Sequence, residues 1–284
     1  MTSKKETIIL YHANCPDGFG AAYAAWKKYG DSAEYTPVSH GNPVPEGLEE
    51  KEVFIVDFSY PKDILLEIES KTKRLVVLDH HIGAKDAVEA VKEHVFDNNH
   101  SGAGITWNYF HLDLPLPRLL AHIEDNDLWK HVLPHGKEIS AYLGIQPFTF
   151  EAFDAVVHKM EDEKEYALII EKGRAYSEYY DFICTTVTAQ AEEVQFDEFT
   201  ILAVSAPRLF RSEIGHRLAK QKAPFAIVWY PHEGVWHCSL RGDGSIDLTK
   251  IAQRYGGNGH RNAAAFSVSM DRPLPFTFIR NNGS

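Results

Sequence analysis

The 284-residue chain has few cysteines and no long apolar segment near its start. Its three cysteines, Cys15, Cys184 and Cys238, lie far apart, and an odd number at such spacing excludes a disulfide framework and indicates a reducing compartment. Only a few apolar residues separate the polar N-terminus from His12. That stretch is too short for a signal-peptide core or a membrane span. We therefore expect a cytoplasmic protein that does not use a membrane as a partner.

The chain also has fewer basic than acidic residues. Lysine and arginine total 29 against 40 aspartates and glutamates, which gives a formal net charge of −11. This balance argues against a grip on long duplex DNA, but a small anionic substrate is compatible because bound metal ions set the local charge. Hydrophobic residues form 44% of the chain, as in a globular protein. Its length indicates one large or two smaller domains.

Short apolar runs near the start of the chain end in residue types that bind metals. Runs of this kind are typical of strands in a parallel sheet covered on both faces, and ligands bind beyond the carboxyl ends of such strands. Carboxylate and imidazole suit hard ions such as Mn²⁺ or Mg²⁺, whereas closed zinc sites favour several thiolates. The runs at 7–11, 53–56 and 75–78 are followed by His12, Cys15, Asp17, Asp57, Asp79, His80 and His81.

Other segments around these runs predict helices. Residues 13–20 are rich in turn formers, so we expect a loop there and a helix from Ala21 to Tyr29. A phosphate-binding role for the glycines in this loop is less favoured than a metal-ligand role for its polar residues. We also expect a helix over 84–93 and another over 102–110, which Ser101 would cap. The acidic cluster at 124–127 is either a solvated face or the source of one further metal ligand, Asp125 or Asp127.

The second half of the chain changes character twice. Residues 138–196 show helical spacing and predict a helical connector. A second α/β unit follows, with a hairpin at 225–240 and a glycine-rich turn at 256–261. That turn either packs tightly against a helix or, with nearby donors, binds a phosphate. The residues of this predicted phosphate site are Arg241, Gly257, Gly259, His260 and Arg261.

Two segments together resemble the DHH phosphoesterase superfamily. The triplet Asp79-His80-His81 is similar to the motif that names it, and residues 256–266 resemble the glycine-rich signature of the DHH-associated C-terminal domain. The resemblance covers nearly the whole chain. It implies an α/β protein with an N-terminal doubly wound parallel sheet (1–135), a helical connector (136–196) and a smaller C-terminal α/β domain with a mixed sheet (197–284). It also implies a phosphoric ester hydrolase that uses one or two Mn²⁺ ions, with Mg²⁺ or Co²⁺ as substitutes.

The resemblance also assigns roles to individual residues. Asp57 would bridge two ions, and His81 would face the phosphate while Asp79 orients an imidazole. Cys15 stands where the superfamily usually has an aspartate, and a thiolate is a softer ligand. The fourth motif falls on the acidic cluster, where both aspartates have arguments in their favour. The metal ligands implied are His12, Cys15, Asp17, Asp57, His80, Asp125 and Asp127.

Three functions are compatible with these observations. The leading prediction is a phosphodiesterase or exonuclease that cleaves short single-stranded oligonucleotides, or cyclic or linear dinucleotides, to mononucleotides. The second is a phosphatase of nucleoside bisphosphates or another small phosphate compound; the glycine-rich C-terminal domain disfavours pyrophosphate. The third is a catalytically impaired nucleotide-binding protein, which Cys15 alone supports. A homodimer is left open.

Overall fold

The computed structural model of the chain describes residues 5–279, in two compact units that divide after Ser177. The first unit contains a five-stranded, fully parallel sheet with the strand order β2-β1-β3-β4-β5. Its strands are β1 (Thr7–His12), β2 (Ala33–Val38), β3 (Glu52–Val56), β4 (Arg74–Asp79) and β5 (Glu93–Phe96). The helices of this unit include α1 (Pro16–Tyr29), α2 (Lys62–Lys71), α3 (Lys85–Val88), α4 (Gly102–Phe110), α5 (Arg118–Asp127), α6 (Gly136–Leu143) and α7 (Phe150–Glu161).

Helices cover both faces of this sheet. Ile9 and Phe54 pack with Ala21 of α1 on one face, whereas Leu10 and Ile55 pack with α2 residues on the other. Alternate side chains of a strand point to opposite faces, so a sheet buried on both sides needs a continuous apolar run. The predicted doubly wound parallel sheet is therefore confirmed. Helices α6 and α7 extend the core formed by α1, α4 and α5.

The predicted loop at 13–20 is wrong in its second half, because α1 begins at Pro16. Proline is favoured in the first helical turn, where its missing N–H is not needed. The glycines that suggested a loop serve close packing instead. A Cβ at Gly18 would lie 2.2 Å from the carbonyl oxygen of His12, and one at Gly20 would lie 2.9 Å from the Cβ of Ala103. The helix at 102–110 and its Ser101 cap are confirmed, since the Ser101 side chain accepts the N–H of Gly104.

The predicted helix at 84–93 forms only in part, as α3. Residues 89–92 form a turn instead, and the chain then enters β5, which pairs in parallel with β4. No helix within residues 5–279 is long and apolar enough to cross a membrane.

The second unit contains a seven-stranded mixed sheet with the order β10-β11-β9-β8-β7-β6-β12, in which β7 and β8 are parallel. Helix α9 packs on one face through Ile214 and Leu218, and α10 on the other through Leu248 and Ile251. The predicted mixed sheet is confirmed. Its elements, with the preceding helix, are α8 (Glu163–Thr188), β6 (Glu192–Phe196), β7 (Phe199–Ser205), α9 (Arg211–Gln221), β8 (Phe225–His232), β9 (Val235–Gly242), α10 (Leu248–Arg254), β10 (Asn258–His260), β11 (Ala263–Ser269) and β12 (Thr277–Phe278).

Two short strands fall where none was predicted. The helical stretch predicted to 196 ends with α8, and β6 follows it, with only Val194 and Phe196 facing the core. Two inward side chains give too weak an alternation to be recognised in the sequence. Within the predicted glycine-rich turn, β10 pairs with β11. A Cβ at Gly257 would lie 2.1 Å from the carbonyl oxygen of Ala265, so tight backbone packing accounts for this glycine. The predicted three-domain boundaries stay a prediction.

Candidate metal centre

The loops after β1, β3 and β4 bring the predicted ligands of the first unit together at the carboxyl edge of its sheet. The convergence follows from the parallel order of the strands, whose carboxyl ends lie side by side. Three overlapping groups have ligand atoms within 4.8 Å of one another. They are His12, Cys15 and Asp57; Asp17, His80 and Asp127; and Asp57, Asp79, His80 and His81.

Asp57 lies at the centre of the site and is almost completely buried. Its Oδ2 is 3.6 Å from His12 Nδ1, and its Oδ1 is 3.2 Å from His80 Nε2. Burial raises its pKa, but the two imidazoles outweigh burial and bring the pKa to about 2. Its φ of 54° is left-handed, a costly conformation that is common at functional sites. The Asp57 carboxylate is thus held charged in a fixed orientation.

The environment of Asp57 fits a bound cation. Within the part of the chain that the structure describes, neither of its carboxylate oxygens accepts a hydrogen bond of normal geometry, although imidazole nitrogens of His12 and His80 lie 3.6 and 3.2 Å away. Buried polar atoms nearly always accept or donate such a bond, so a buried carboxylate without one needs an explanation such as an ion. The surrounding carboxylates and imidazoles are the donors that a divalent ion such as Mn²⁺ or Mg²⁺ takes in proteins. The residues present therefore fit a divalent metal.

Asp17 is anchored by the N-terminus of α4. Its Oδ2 accepts the N–H of Gly102 at 2.7 Å, and its Oδ1 accepts the N–H of Ala103 at 3.0 Å. Burial, followed by the nearby charges of Asp57 and Asp127, raises the pKa of Asp17 well above its usual range. Three carboxylates thus crowd a desolvated space, and a divalent cation among them would relieve their repulsion.

His80 lies between the carboxylates. Its Nε2 is 3.8 Å from Asp17 Oδ2 and 3.6 Å from Asp127 Oδ2. Burial lowers the pKa of His80, but Asp57 and the other carboxylates outweigh it and raise the pKa to about 9. Burial also raises the pKa of Asp127. Burial and neighbouring charges therefore shift the pKa of each of these side chains, as is typical of functional sites.

Asp79 and His81 form a separate pair at the edge of the cluster. Asp79 Oδ1 accepts the backbone N–H of His80 at 2.8 Å and lies 2.7 Å from His81 Nδ1. This contact raises the pKa of His81. Because Asp79 is fully buried and occupies Nδ1, it orients the half-exposed His81 ring through that nitrogen. The role of Asp79 in orienting an imidazole stays a prediction, with which this contact is compatible.

Cys15 lies beside His12, within the same group as Asp57. The pKa of His12 is raised to about 10, first by Asp57 and then by Cys15. His40 was not among the predicted site residues, yet its ring packs against His12 with 5.6 Å between ring centroids. His40 follows β2, so the pattern that identified the other residues, a polar group after a strand of the sheet, also applied to it.

The two aspartates of the acidic cluster have different surroundings. Asp127 enters the metal group, whereas Asp125 is absent from the groups found among residues 5–279. The carboxylate oxygens of Asp125 instead accept the backbone N–H groups of Val132 at 3.0 Å and Leu133 at 3.2 Å. The prediction of Asp125 as a metal ligand is therefore not supported by its placement. Asp125 organises the loop that follows α5.

The predicted phosphate-binding residues lie in the second unit. Arg241 on β9 donates to Ser212 Oγ at 2.9 Å, and burial, followed by the charge of Arg211, lowers its pKa. Strand β11 pairs with β9 on one side and with β10 on the other, so the glycine-rich segment and Arg241 share one sheet. His260 is exposed, and Arg261 Nε donates to the carbonyl oxygen of Gly244 at 3.0 Å. Gly259 pairs with Ala264 across the strands.

Solved structures with the same fold are DHH-domain proteins. The DHH domain of PF0399, a member of a family of ribosomal proteins, matches with a TM-score of 0.57 at 14% identity, over 96% of this chain and 83% of that one. PggH, a pGpG-specific phosphodiesterase from Vibrio cholerae, matches with a TM-score of 0.51 at 13% identity, over 94% of each chain. RecJ from Thermus thermophilus, solved with Mn²⁺, matches with a TM-score of 0.50 at 15% identity, over 94% of this chain and 50% of that one. The fold is that of the DHH superfamily.

A viral relative shows the family to which the chain belongs. The uncharacterized protein R106 of Acanthamoeba polyphaga mimivirus is 30% identical over 304 aligned positions, which cover 97% of this chain and 71% of the viral protein. The chain therefore belongs to the same family as this viral protein. No family model matches it.

Proposed function

We propose that the protein is a metal-dependent phosphodiesterase that cleaves short single-stranded oligonucleotides or dinucleotides to mononucleotides. The observation that carries the proposal is the buried Asp57 carboxylate, which lies between two groups of potential metal ligands and accepts no hydrogen bond of normal geometry from the described residues. PggH, which shares the fold, is a pGpG-specific phosphodiesterase, and RecJ was solved with Mn²⁺. PggH supports a nucleotide substrate, and RecJ supports a divalent cofactor.

The donor set divides around Asp57 into two sites. His12, Cys15 and Asp57 would hold one ion, and Asp17, His80 and Asp127, again with Asp57, the other. A bound divalent ion at either site supplies a water of lowered pKa and polarises a phosphoryl oxygen. Mn²⁺ is the proposed ion, with Mg²⁺ or Co²⁺ as substitutes, since carboxylate and imidazole suit them all.

The chain's own residues then act on the phosphate. His81, which Asp79 orients and whose pKa Asp79 raises, donates from Nε2 to a phosphoryl oxygen and stabilises the charge that develops there. The N–H groups of Gly102 and Ala103 are already bound by Asp17, so the N-terminus of α4 positions a metal ligand rather than the substrate. Asp79 remains buried and keeps the imidazole in one orientation throughout.

Arg241, Gly257, Gly259, His260 and Arg261 are proposed to bind the phosphate or terminal nucleotide of the substrate. The supporting observation is that Arg241 and the strands of the glycine-rich segment lie side by side in one sheet. Arginine binds phosphate through two parallel hydrogen bonds. In this proposal residues 1–135 perform the chemistry, residues 197–284 grip the substrate, and residues 136–196 connect them. A cytoplasmic location also remains a proposal.

A substrate screen tests this function. The protein, loaded with Mn²⁺, is incubated with linear and cyclic dinucleotides, with oligonucleotides of increasing length and with adenosine 3′,5′-bisphosphate. We expect dinucleotides and short oligonucleotides to yield mononucleotides. Asp57→Asn serves as the control, because asparagine tolerates the left-handed backbone at this position but removes the charge. Release of phosphate from the bisphosphate, with every phosphodiester left intact, would overturn the proposal in favour of a phosphatase.

A further inference from the structure

The loop that follows α5 has an unusual backbone. Trp129 and His131 adopt left-handed φ values of 54° and 47°, a conformation that bulky side chains rarely adopt. Left-handed residues of this kind persist only where the surrounding structure holds them, and they cluster at functional sites.

Asp125 holds the loop by four backbone groups. Its carbonyl oxygen accepts the N–H of Lys130 at 3.0 Å and of His131 at 3.4 Å. Its carboxylate accepts the N–H of Val132 at 3.0 Å and of Leu133 at 3.2 Å. Asp125 is itself buried, so these bonds form in a desolvated place where they strongly order the loop. The conformation of the loop is thus fixed before any ligand binds.

The loop presents an aromatic surface to solvent. The Trp129 side chain is 82% exposed, whereas Trp107 of the same unit is 6% exposed. Tryptophan is usually highly buried, because its large apolar area favours the core. The rings of Trp129 and His131 stand edge to face, 5.4 Å apart. Trp129 follows the candidate metal ligand Asp127 by two residues, so the Cα atoms of the two residues lie within about 7 Å of each other.

We propose that Trp129 is a stacking platform for a nucleobase of the substrate and that Asp125 is its positioning residue. The inference rests on the proposed nucleotide substrate and adds the side chain that receives a base. Every nucleobase offers a π-face, so stacking gives affinity with little sequence preference. Stacking on a neutral indole also needs no positive charge, and this chain carries a formal net charge of −11. Because the backbone of the loop is already ordered, less conformational freedom is lost when a base stacks on Trp129.

Steady-state kinetics of Trp129→Gly test the platform. Glycine removes the ring and relieves the left-handed backbone, so the melting temperature should not fall. The KM for the 5′-phosphorylated dinucleotide pApA should rise roughly fivefold to 150-fold, which corresponds to the known range for base–aromatic stacking. Hydrolysis of the corresponding abasic dinucleotide, which has the same phosphodiester but no aromatic ring, should stay unchanged. Leu112→Ser, at another exposed apolar residue, is the control and should behave as wild type.

Trp129→Phe and fluorescence give a readout that does not depend on turnover. Adenosine 5′-monophosphate should quench the emission of the wild-type protein, and Trp129→Phe should lose that quenching while it keeps a KM near the wild-type value. Asp125→Ala should raise the KM as Trp129→Gly does, with Mn²⁺ affinity unchanged, and Asp125→Asn should recover part of the loss because it keeps one acceptor oxygen.

The outcomes separate the two proposals. If pApA is not hydrolysed but the nucleotide still quenches Trp129 emission, the phosphodiesterase proposal fails and the platform stands. An unchanged KM for pApA in Trp129→Gly, or quenching that survives in Trp129→Phe, would overturn the platform whatever the enzyme cleaves.

Discussion

Gly102 and Asp57 are packed so closely that a Cβ added at Gly102 would lie 2.3 Å from the Cβ of Asp57 and 2.5 Å from its Oδ1. The first residue of α4 thus forms part of the wall that holds the central carboxylate. No other residue type leaves room for Asp57 in this position.

This contact predicts that Gly102→Ala disrupts the metal centre. Alanine is the better helix former, so any loss must come from the collision with Asp57. Overpacking of a tight site costs about 1–3 kcal/mol of stability, and we expect Mn²⁺ binding to weaken with it. Denaturant unfolding and calorimetric titration would measure the two effects. Gly83→Ala is the matched control, because a Cβ there meets nothing within 4 Å; equal behaviour of the two variants would contradict the prediction.

A second prediction concerns Cys15. Cys15→Asp should bind Mn²⁺ more tightly than wild type, because a carboxylate is harder than a thiolate and needs no deprotonation at neutral pH. Cys15 is also the N-cap residue of α1, without a side-chain cap bond, and aspartate is a good cap. Cys15→Asn separates the two effects, since it caps without a charge. Calorimetric Mn²⁺ affinity that does not differ between the aspartate and asparagine variants would count against a ligand role for residue 15.

A third prediction separates chemistry from substrate binding. Asp57→Asn should abolish kcat with the fold intact, whereas Arg241→Ala should mainly raise KM. Loss of a hydrogen bond to a charged group costs about 1.5–3 kcal/mol, so kcat/KM should fall roughly tenfold to a hundredfold. Arg254→Ala also removes one exposed positive charge and serves as the control. Kinetics with a dinucleotide decide the matter, and wild-type values for Arg241→Ala would refute its role as a substrate clamp.

A fourth prediction concerns acid stability. Tyr23 of α1 donates to Asp154 Oδ1 of α7 at 2.6 Å, and Lys27 donates to the same oxygen at 3.0 Å. Burial raises the pKa of Asp154, but these two bonds outweigh it and lower the pKa below its usual value. A lowered carboxyl pKa contributes stability that is present above the unfolded pKa of about 3.9 and is lost as the pH falls through the folded pKa.

The variant Asp154→Asn tests this linkage. It should be less stable than wild type at pH 7 by about 1 kcal/mol, and the difference should shrink as the pH falls below about 4. Thermal unfolding across the acid range and at neutral pH measures it. Tyr23→Phe, which removes one donor but keeps the carboxylate, should retain part of the acid dependence through Lys27. A constant gap between Asp154→Asn and wild type at all pH values would contradict the linkage.

The sequence was sufficient to predict that the candidate metal ligands converge, because their convergence follows from topology. Once the runs ending at His12, Asp57 and Asp79 are strands of one parallel sheet, their carboxyl ends must meet. The choice between Asp125 and Asp127 could not be made in this way. It depends on the exact end of α5 and on the loop behind it, where the backbone N–H groups of residues 132 and 133 turn towards Asp125.

The errors in secondary structure have two causes. Gly18 was interpreted as a loop residue, yet it lies in α1 and is a glycine because the backbone of His12 lies where a Cβ would be. Close approach and chain reversal demand the same residue, so the sequence alone cannot distinguish them. The strands β5 and β6 were missed because they are short. Pairing with neighbouring strands, rather than their own residues, stabilises their extended conformation.

The two hydrogen bonds from α4 to Asp17 have a thermodynamic consequence for ion binding. Asp17 is ordered by the same N–H groups that begin the helix, so its conformational entropy is lost when the chain folds and not when an ion arrives. The intrinsic affinity of the site is therefore not reduced by the ordering of this ligand. Removal of the ion with a chelator should leave a folded protein with a preorganised and electrostatically strained cluster, and the ion should return without refolding of the loop.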